Sequence, residues 1–180
     1  IGFPIALKMM GPLLLHKTDS GAVAVNLHSH LALENAILKM KHSVSQYNPK
    51  AVSDSYLIEK MEDKPLAEIA FGIRKDNQFG IVLTIGSGGI FADLINDYRL
   101  IILPTNRAEI LEKLQKLRVS KLLNGFRGQP PCNYDIIVSF ILEVCFFFQN
   151  ANIDICELEV NPLFVYQNRV SIVDALILRE

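Results

Sequence analysis

The run Glu157-Leu-Glu-Val-Asn-Pro-Leu163 constrains this chain more than any other stretch. Its residues alternate, with Glu157, Glu159 and Asn161 to one side and Leu158 and Val160 to the other. A period of two describes a strand with one polar and one apolar face. Leu163-Phe-Val-Tyr166 continues that strand, Gln167-Asn168 can turn, and Val170-Ser-Ile-Val-Asp174 reads as the return strand. A two-residue turn at Gln167-Asn168 sets Asn161 opposite Asp174. Sliding the turn by one residue displaces the acid by one pair but keeps it on the same face, because side chains alternate. Pro162 has no N–H to donate, so irregular pairing is expected there. Two carboxylates and an amide oxygen on one face suit a hard cation such as Mg²⁺, with phosphates and waters in its other positions. The same spacing also describes three polar residues lining a wet sheet face.

The 180 residues suffice for one domain with a real core or for two small lobes, and half of them are hydrophobic. Lys plus Arg number 18 against 19 Asp plus Glu. A net charge of -1 argues against a nucleic-acid or membrane surface that works by bulk charge. Cys132, Cys145 and Cys156 are odd in number and lack C-x-x-C spacing, which points to reduced thiols in a cytosolic protein. The most apolar run, Ile136 to Phe148, is interrupted by Ser139 and Glu143 and is too short for a bilayer, so it reads as a buried helix. Ile1-Gly-Phe-Pro4 leads straight into an apolar strand with no initiating Met, which points to a fragment or a processed chain.

In chain order, Pro4 to Met9 and Ala22 to Leu27 read as strands, and Ser29 caps a helix from His30 to about Lys41. Tyr47 to Asp54 reads as loop. Tyr56 to Met61, Leu66 to Arg74, Phe79 to Ile85 and Leu100 to Leu103 read as further strands, with a turn at Lys75 to Gln78. Gly86-Ser-Gly-Gly89 is a tight loop, and Asp93 to Asp97 a short helical or extended element. Thr105 opens a helix with Ile110, Leu114 and Leu117 on its stripe, and Asn133 caps the apolar helix that runs to about Asn150. Helices interspersed among mostly antiparallel strands make the class α+β.

Four further features bear on chemistry. Lys8 lies within an apolar strand, where an ammonium calls for a phosphate or carboxylate partner unless the strand turns it to solvent. His16-Lys17 is a cationic pair in a turn, and a neutral imidazole there has a ring nitrogen able to take a phosphoryl group. Gly86-Ser-Gly-Gly89 follows a strand, as a loop whose N–H groups approach phosphate does, although it is neither a Walker loop nor a dinucleotide fingerprint. Glu59 and Glu68 stand on adjacent strands.

The order of the motifs is more specific than any one of them. Gly2-Phe-Pro-Ile-Ala-Leu-Lys8, Leu15-His-Lys-Thr-Asp19, Phe79-Gly80, Gly86-x-Gly-Gly89, Gly125-Phe-Arg-Gly-Gln-Pro-Pro131, Glu157-Leu-Glu-Val-Asn-Pro-Leu163 and Asp174-Ala175 resemble the ATP-grasp domain of ADP-forming acyl-CoA synthetases. They are similar also to the same domain in protein lysine acetyltransferases with an acyl-CoA-synthetase-like half, and more distantly to the succinyl-CoA synthetase β subunit. The likeness runs from Gly2 to about Leu178.

The resemblance implies an ATP-grasp fold over residues 1–180, with nucleotide held between two α+β lobes and part of the first lobe lacking. It implies that Lys8 reaches the nucleotide phosphates, that Ile58, Glu59, Lys60 and Met61 form the hinge beside adenine and ribose, and that Glu68 is an acid of the next strand. Glu159, Asn161 and Asp174 become the Mg²⁺ ligands, ATP or ADP the substrate, and His16 the phosphoryl carrier. CoA-binding and ligase domains, absent here, would come from missing sequence or a partner subunit in a hetero- or homo-oligomer. No nucleic acid or membrane partner is implied, and the location is cytoplasmic. The chain departs from the family in four places. Glu59-Lys60 stands for Gln-Glu, Gly21-Ala22 for Gly-Gly, Asp93 for a glutamate, and Ile101 for an arginine, with Arg99 nearby. The departures at Lys60, Asp93 and Ile101 give weight to a second reading, a non-catalytic nucleotide-binding regulatory domain of a protein lysine acetyltransferase.

Overall fold

A computed structural model describes residues 1–15, 17–89 and 96–179. The chain forms two compact units, Ile1–Lys64 and Pro65–Glu180. The first contains strands β1 (Ile5–Met9), β2 (Val23–Leu27) and β3 (Tyr56–Lys60), helix α1 (His30–Tyr47) and a short 3-10 turn at Pro49–Ala51. β1 is the middle strand of an antiparallel sheet ordered β2-β1-β3. Ile5, Leu7 and Met9 pack with Leu14, Ala22, Leu27 and Ala51 and with Met40 and Val44 from α1. Ala6 and Lys8 alternate with these residues and are buried too. A central strand has neighbours on both edges, and this one is covered on both faces.

Ser29 caps α1 as its sequence position suggests, its Oγ accepting from Ala32 N at 3.1 Å. The helix does not stop near Lys41 but continues to Tyr47. Val44 lies one turn beyond Met40 and is fully buried, so the apolar stripe carries the helix on. Asn48 then ends it, donating its N–H to Val44 O and capping the 3-10 turn through its side chain. The stretch expected to be loop after Tyr47 therefore includes that turn.

The second unit contains β4 (Ala67–Asp76), β5 (Gly80–Ser87), β6 (Tyr98–Ile102), α2 (Arg107–Gln115), α3 (Ser120–Leu123), α4 (Tyr134–Asn150), β7 (Ile155–Val165), β8 (Val170–Ile172) and β9 (Ala175–Arg179). Its antiparallel sheet runs β6-β5-β4-β7-β8, and β9 also pairs with β7. Ile69, Phe71, Ile73, Leu83, Ile85, Leu158, Val160 and Leu163 share a core with Ile110 and Leu114 of α2 and Ile137, Val138, Ile141, Cys145 and Phe148 of α4. The helices thus cover one face of the sheet. Glu68, Gly72 and Glu159, at the alternate strand positions, belong to the other face.

Several boundaries differ from the sequence reading. Asn106, not Thr105, caps α2, its Oδ1 accepting from Glu109 N at 3.1 Å, while Thr105 Oγ1 donates to the Glu109 carboxylate at 2.8 Å. The expected turn at Lys75 to Gln78 shrinks, because Asp76 Oδ1 accepts from Gln78 N and Phe79 N and lets the ladder reach Asp76–Gly80. Gly86 and Ser87 belong to β5 and not to the loop after it. The return strand expected from Val170 to Asp174 is interrupted, ending as β8 at Ile172 and resuming as β9 at Ala175. The element expected at Asp93–Asp97 lies largely outside the described residues.

Candidate functional site

The loop Gln167-Asn168 sets the register of β7 against β8 and, back to Glu157, against β9. Tyr166 N donates to Arg169 O at 2.9 Å and closes the hairpin. Phe164 then pairs with Ser171 and Leu163 with Ile172. Past the interruption Val160 pairs with Ala175 and Glu159 with Leu176. Asn161 N donates to Asp174 O at 3.1 Å, so Asn161 does stand opposite Asp174. On its other edge β7 slips against β4, with Ile69 opposite Leu163 but Phe71 opposite Val160. Asn161 and Pro162 together face Ala70, a bulge at the residue with no N–H to give.

This register puts Glu159, Asn161 and Asp174 on the face away from the helices. Leu158 and Val160 are buried, while Glu159, Asn161 and Asp174 are half-buried. Asn161 Nδ2 makes a long hydrogen bond to Glu159 Oε1 at 3.4 Å. Asp174 Oδ1 accepts from Ala175 N at 3.1 Å. Two carboxylates and an amide oxygen are the donor types a small hard cation takes. Among the described residues no three His, Cys, Asp or Glu side chains cluster for a metal.

The glycine loop reaches the same place, a contact the sequence did not announce. Gly88 N donates to Glu68 O at 2.9 Å, and Gly89 N donates to Asn161 Oδ1 at 3.2 Å. A Cβ on Gly88 would stand 2.5 Å from the Ile69 backbone, and one on Gly89 would overlap Glu68 Oε2. Gly89 also has φ +71°, which favours glycine. The Glu68 side chain therefore fills the volume that a side chain at position 89 would need. Burial pushes the Glu68 carboxyl above its ordinary pKa. The only sequence trace of this arrangement is the Gly88-Gly89 pair itself.

In the first unit Lys8 is buried and its Nζ lies 2.5 Å from Glu59 Oε2. Lys8 pairs across the ladder with Leu57 and Ala6 with Glu59, so the contact is diagonal. A carboxylate of the expected hinge strand is thus one partner of the buried lysine. Ile58 and Lys60 are exposed on that strand, and Met61 N donates to Pro4 O at 3.1 Å.

His16 lies outside the described residues, as does Asp93. The turn after His16 is tightly closed. Ala22 N and Ser20 Oγ both donate to Lys17 O, at 2.8 and 3.0 Å, and Lys17 and Ser20 are buried. Ile101, where the resembled family has arginine, belongs to the apolar core of the second unit. Arg99 instead donates to Lys116 O at 2.8 Å and meets Asp97 at 3.4 Å. A cleft of about 340 Å³ lined by Asp135, Ile136, Ser139, Phe140, Glu143 and Val170 contains none of the expected site residues. No helix among the described residues is long and apolar enough to cross a membrane.

Comparison with known proteins agrees with this architecture. Residues 1–178 match the ATP-grasp domain family. The chain is 32% identical over 167 residues to the β subunit of ADP-forming acetate–CoA ligase II of Pyrococcus furiosus, covering 93% of this chain and 70% of that one. It is 30% identical over 177 residues to ADP-forming acetate–CoA ligase I of Archaeoglobus fulgidus, but spans only 25% of that longer protein. Superposition on dinucleotide forming acetyl-coenzyme A synthetase 1 of Ca. Korarchaeum cryptofilum, in complex with coenzyme A, Ca-AMPCP and HgCl+, gives a TM-score of 0.90 at 29% identity. That match covers all of this chain and 78% of the other. A structure of the same synthetase with coenzyme A and Mg-AMPPCP, its phosphohistidine segment pointing towards the nucleotide binding site, matches with a TM-score of 0.80 at 27% identity.

Proposed function

The chain belongs to the ATP-grasp domain family, and on that premise we propose that it is the nucleotide-binding part of an ADP-forming acyl-CoA synthetase. The reaction interconverts acyl-CoA, ADP and phosphate with the free acid, CoA and ATP. The observation that carries this reading is the strand register that brings Glu159, Asn161 and Asp174 to one half-buried face. Those three residues would hold Mg²⁺. A bound Mg²⁺ supplies charge neutralisation on the nucleotide phosphates.

The residues of the chain have separable tasks. Lys8, held in a buried strand beside Glu59, supplies a fixed cation for phosphate oxygens. Ile58, Glu59, Lys60 and Met61 carry the adenine and ribose contacts. Glu68 borders the metal face at the glycine loop. His16 takes the phosphoryl group on a ring nitrogen. A phosphohistidine segment is described in the Ca. Korarchaeum cryptofilum synthetase, which supports that role. The CoA-binding and ligase domains come from a partner subunit or from further sequence, as the β-subunit relative suggests, and the location is cytoplasmic.

Calorimetric titration with ATP, with and without Mg²⁺, tests the reading. Binding that requires or is strengthened by Mg²⁺ is expected, and no nucleotide binding in either condition refutes it. In the complete enzyme, ATP and Mg²⁺ should place an acid-labile, base-stable phosphate on His16. His16→Ala should bind nucleotide normally and lose turnover; full synthetase activity in that variant removes the carrier role.

A further inference from the structure

We propose that Gly89 is a positioning residue for the metal face, and that it acts by orienting the Asn161 carboxamide. This rests on the reading of Glu159, Asn161 and Asp174 as metal-holding residues. A carboxamide has two nearly isosteric ends, and only its oxygen can bind a cation. Something must therefore decide which way it points. Gly89 N–H donates to Oδ1 at 3.2 Å, and Nδ2 points to Glu159 Oε1 at 3.4 Å. Both contacts select the same rotamer. Flipping the amide would set its NH₂ against the Gly89 N–H and its oxygen against a carboxylate. An amide oxygen has two lone pairs, so the Gly89 bond leaves one for a cation.

The loop is in turn held by the strand beside it. Gly88 N donates to Glu68 O at 2.9 Å, and a Cβ on Gly88 would stand 2.5 Å from the Ile69 backbone. The Glu68 carboxylate lies where a side chain at position 89 would go. Glycine at position 89 thus serves two ends: it adopts φ +71°, and it lets Glu68 and Asn161 close on the loop together. A side chain there pushes the loop off Glu68 and draws the N–H away from Asn161. Groups that orient a metal ligand typically matter by about 10–100-fold in metal affinity.

The test uses the 180-residue chain with a non-hydrolysable ATP analogue at saturation, Mn²⁺ as the spectroscopic metal, and Gly89→Ala, Gly89→Asn, Glu68→Ala and Gly89→Ala/Glu68→Ala. Asparagine tolerates positive φ, so Gly89→Asn carries the test if the alanine variant does not fold. Electron paramagnetic resonance should show Mn²⁺ affinity falling about tenfold or more in either Gly89 variant. Affinity for the analogue without metal should stay within about twofold. The Gly89→Ala penalty should shrink when Glu68 is already alanine, because the overlap is gone. In the metal-free protein the Asn161 side-chain amide resonances should shift in both Gly89 variants. Wild-type Mn²⁺ affinity in them, or unshifted Asn161 amide resonances, overturns the inference while leaving the metal face standing. No metal-dependent binding by the wild type refutes the metal face itself and the inference with it.

Discussion

Lys8→Met separates a lysine that serves the nucleotide from one that serves the fold. Lys8 is 6% exposed at its side chain and pairs at 2.5 Å with Glu59, which is 38% exposed. Methionine keeps the aliphatic stem inside the strand and leaves Glu59 as the group without its partner. Glu59 is exposed enough for water to take over, so the stability cost should resemble that of a partly exposed pair, under about 1 kcal/mol. For a unit of this size that is a fall in Tm of under about 8 °C. A phosphate contact at Lys8 would be worth more. A hydrogen bond to a charged group contributes about 1.5–3 kcal/mol, which is roughly a 10–150-fold loss of ATP affinity. Calorimetry with ATP, alongside a thermal melt, measures both. Adenosine provides the control, since it has no phosphates and should bind wild type and variant alike. Equal ATP affinity in the two proteins would show that Lys8 meets no phosphate. An equal loss for adenosine and ATP would show that the variant had disturbed the unit instead.

Three other outcomes follow from the same structure. Asp174→Asn removes one of two carboxylates from the half-buried face and should weaken Mg²⁺-dependent nucleotide binding about tenfold, with an unchanged circular dichroism spectrum; undiminished Mg²⁺ dependence would remove Asp174 from the site. Burial raises the Glu68 pKa, so the folded chain keeps this proton to higher pH than the unfolded chain does. The stability this contributes is complete below the ordinary carboxylate range and is lost as pH rises through the raised value. Glu68→Gln should therefore be the more stable protein at neutral pH and lose that advantage in acid, as denaturant melts across pH would show; a pH-independent difference refutes burial as the cause. Gly21 has φ +69°, and a Cβ there would stand 2.7 Å from Ser43 Cβ on α1. Gly21→Ala should cost about 1–3 kcal/mol by urea denaturation, and a cost near zero would mean that the turn after His16 is not packed against the helix.

The hairpin at Gln167-Asn168 was legible because it is local. Alternation assigns each side chain to a face, so Asn161 and Asp174 sharing a face needs no knowledge of the rest of the chain, and the turn at Gln167-Asn168 then selects the register that sets them opposite. The caps at Ser29 and Asn133 were legible for the same reason, each being a side chain bonded to an N–H two or three residues on. The length of α1 was less so. Its last turns are held by burial of Met40 and Val44 against β1, and burial is a property of the partner surface. The ordered motifs from Gly2 to Asp174 carried the family likeness, yet they said nothing of which motifs touch.

Contacts across long sequence separations were decided by the tertiary structure alone. The Lys8 strand pattern called for an anion, but that the anion is Glu59 depends on how β1 and β3 pair. Gly89 and Asn161 are distant in sequence and meet because β5 and β7 flank the same strand, β4. The bulge at Asn161-Pro162 turns on which residues of β4 lie alongside. A sequence determines the period of each strand, and hence the face of every residue on it. Which strands become neighbours depends instead on the helices burying one face of the sheet, a global balance of apolar area that no single stretch encodes.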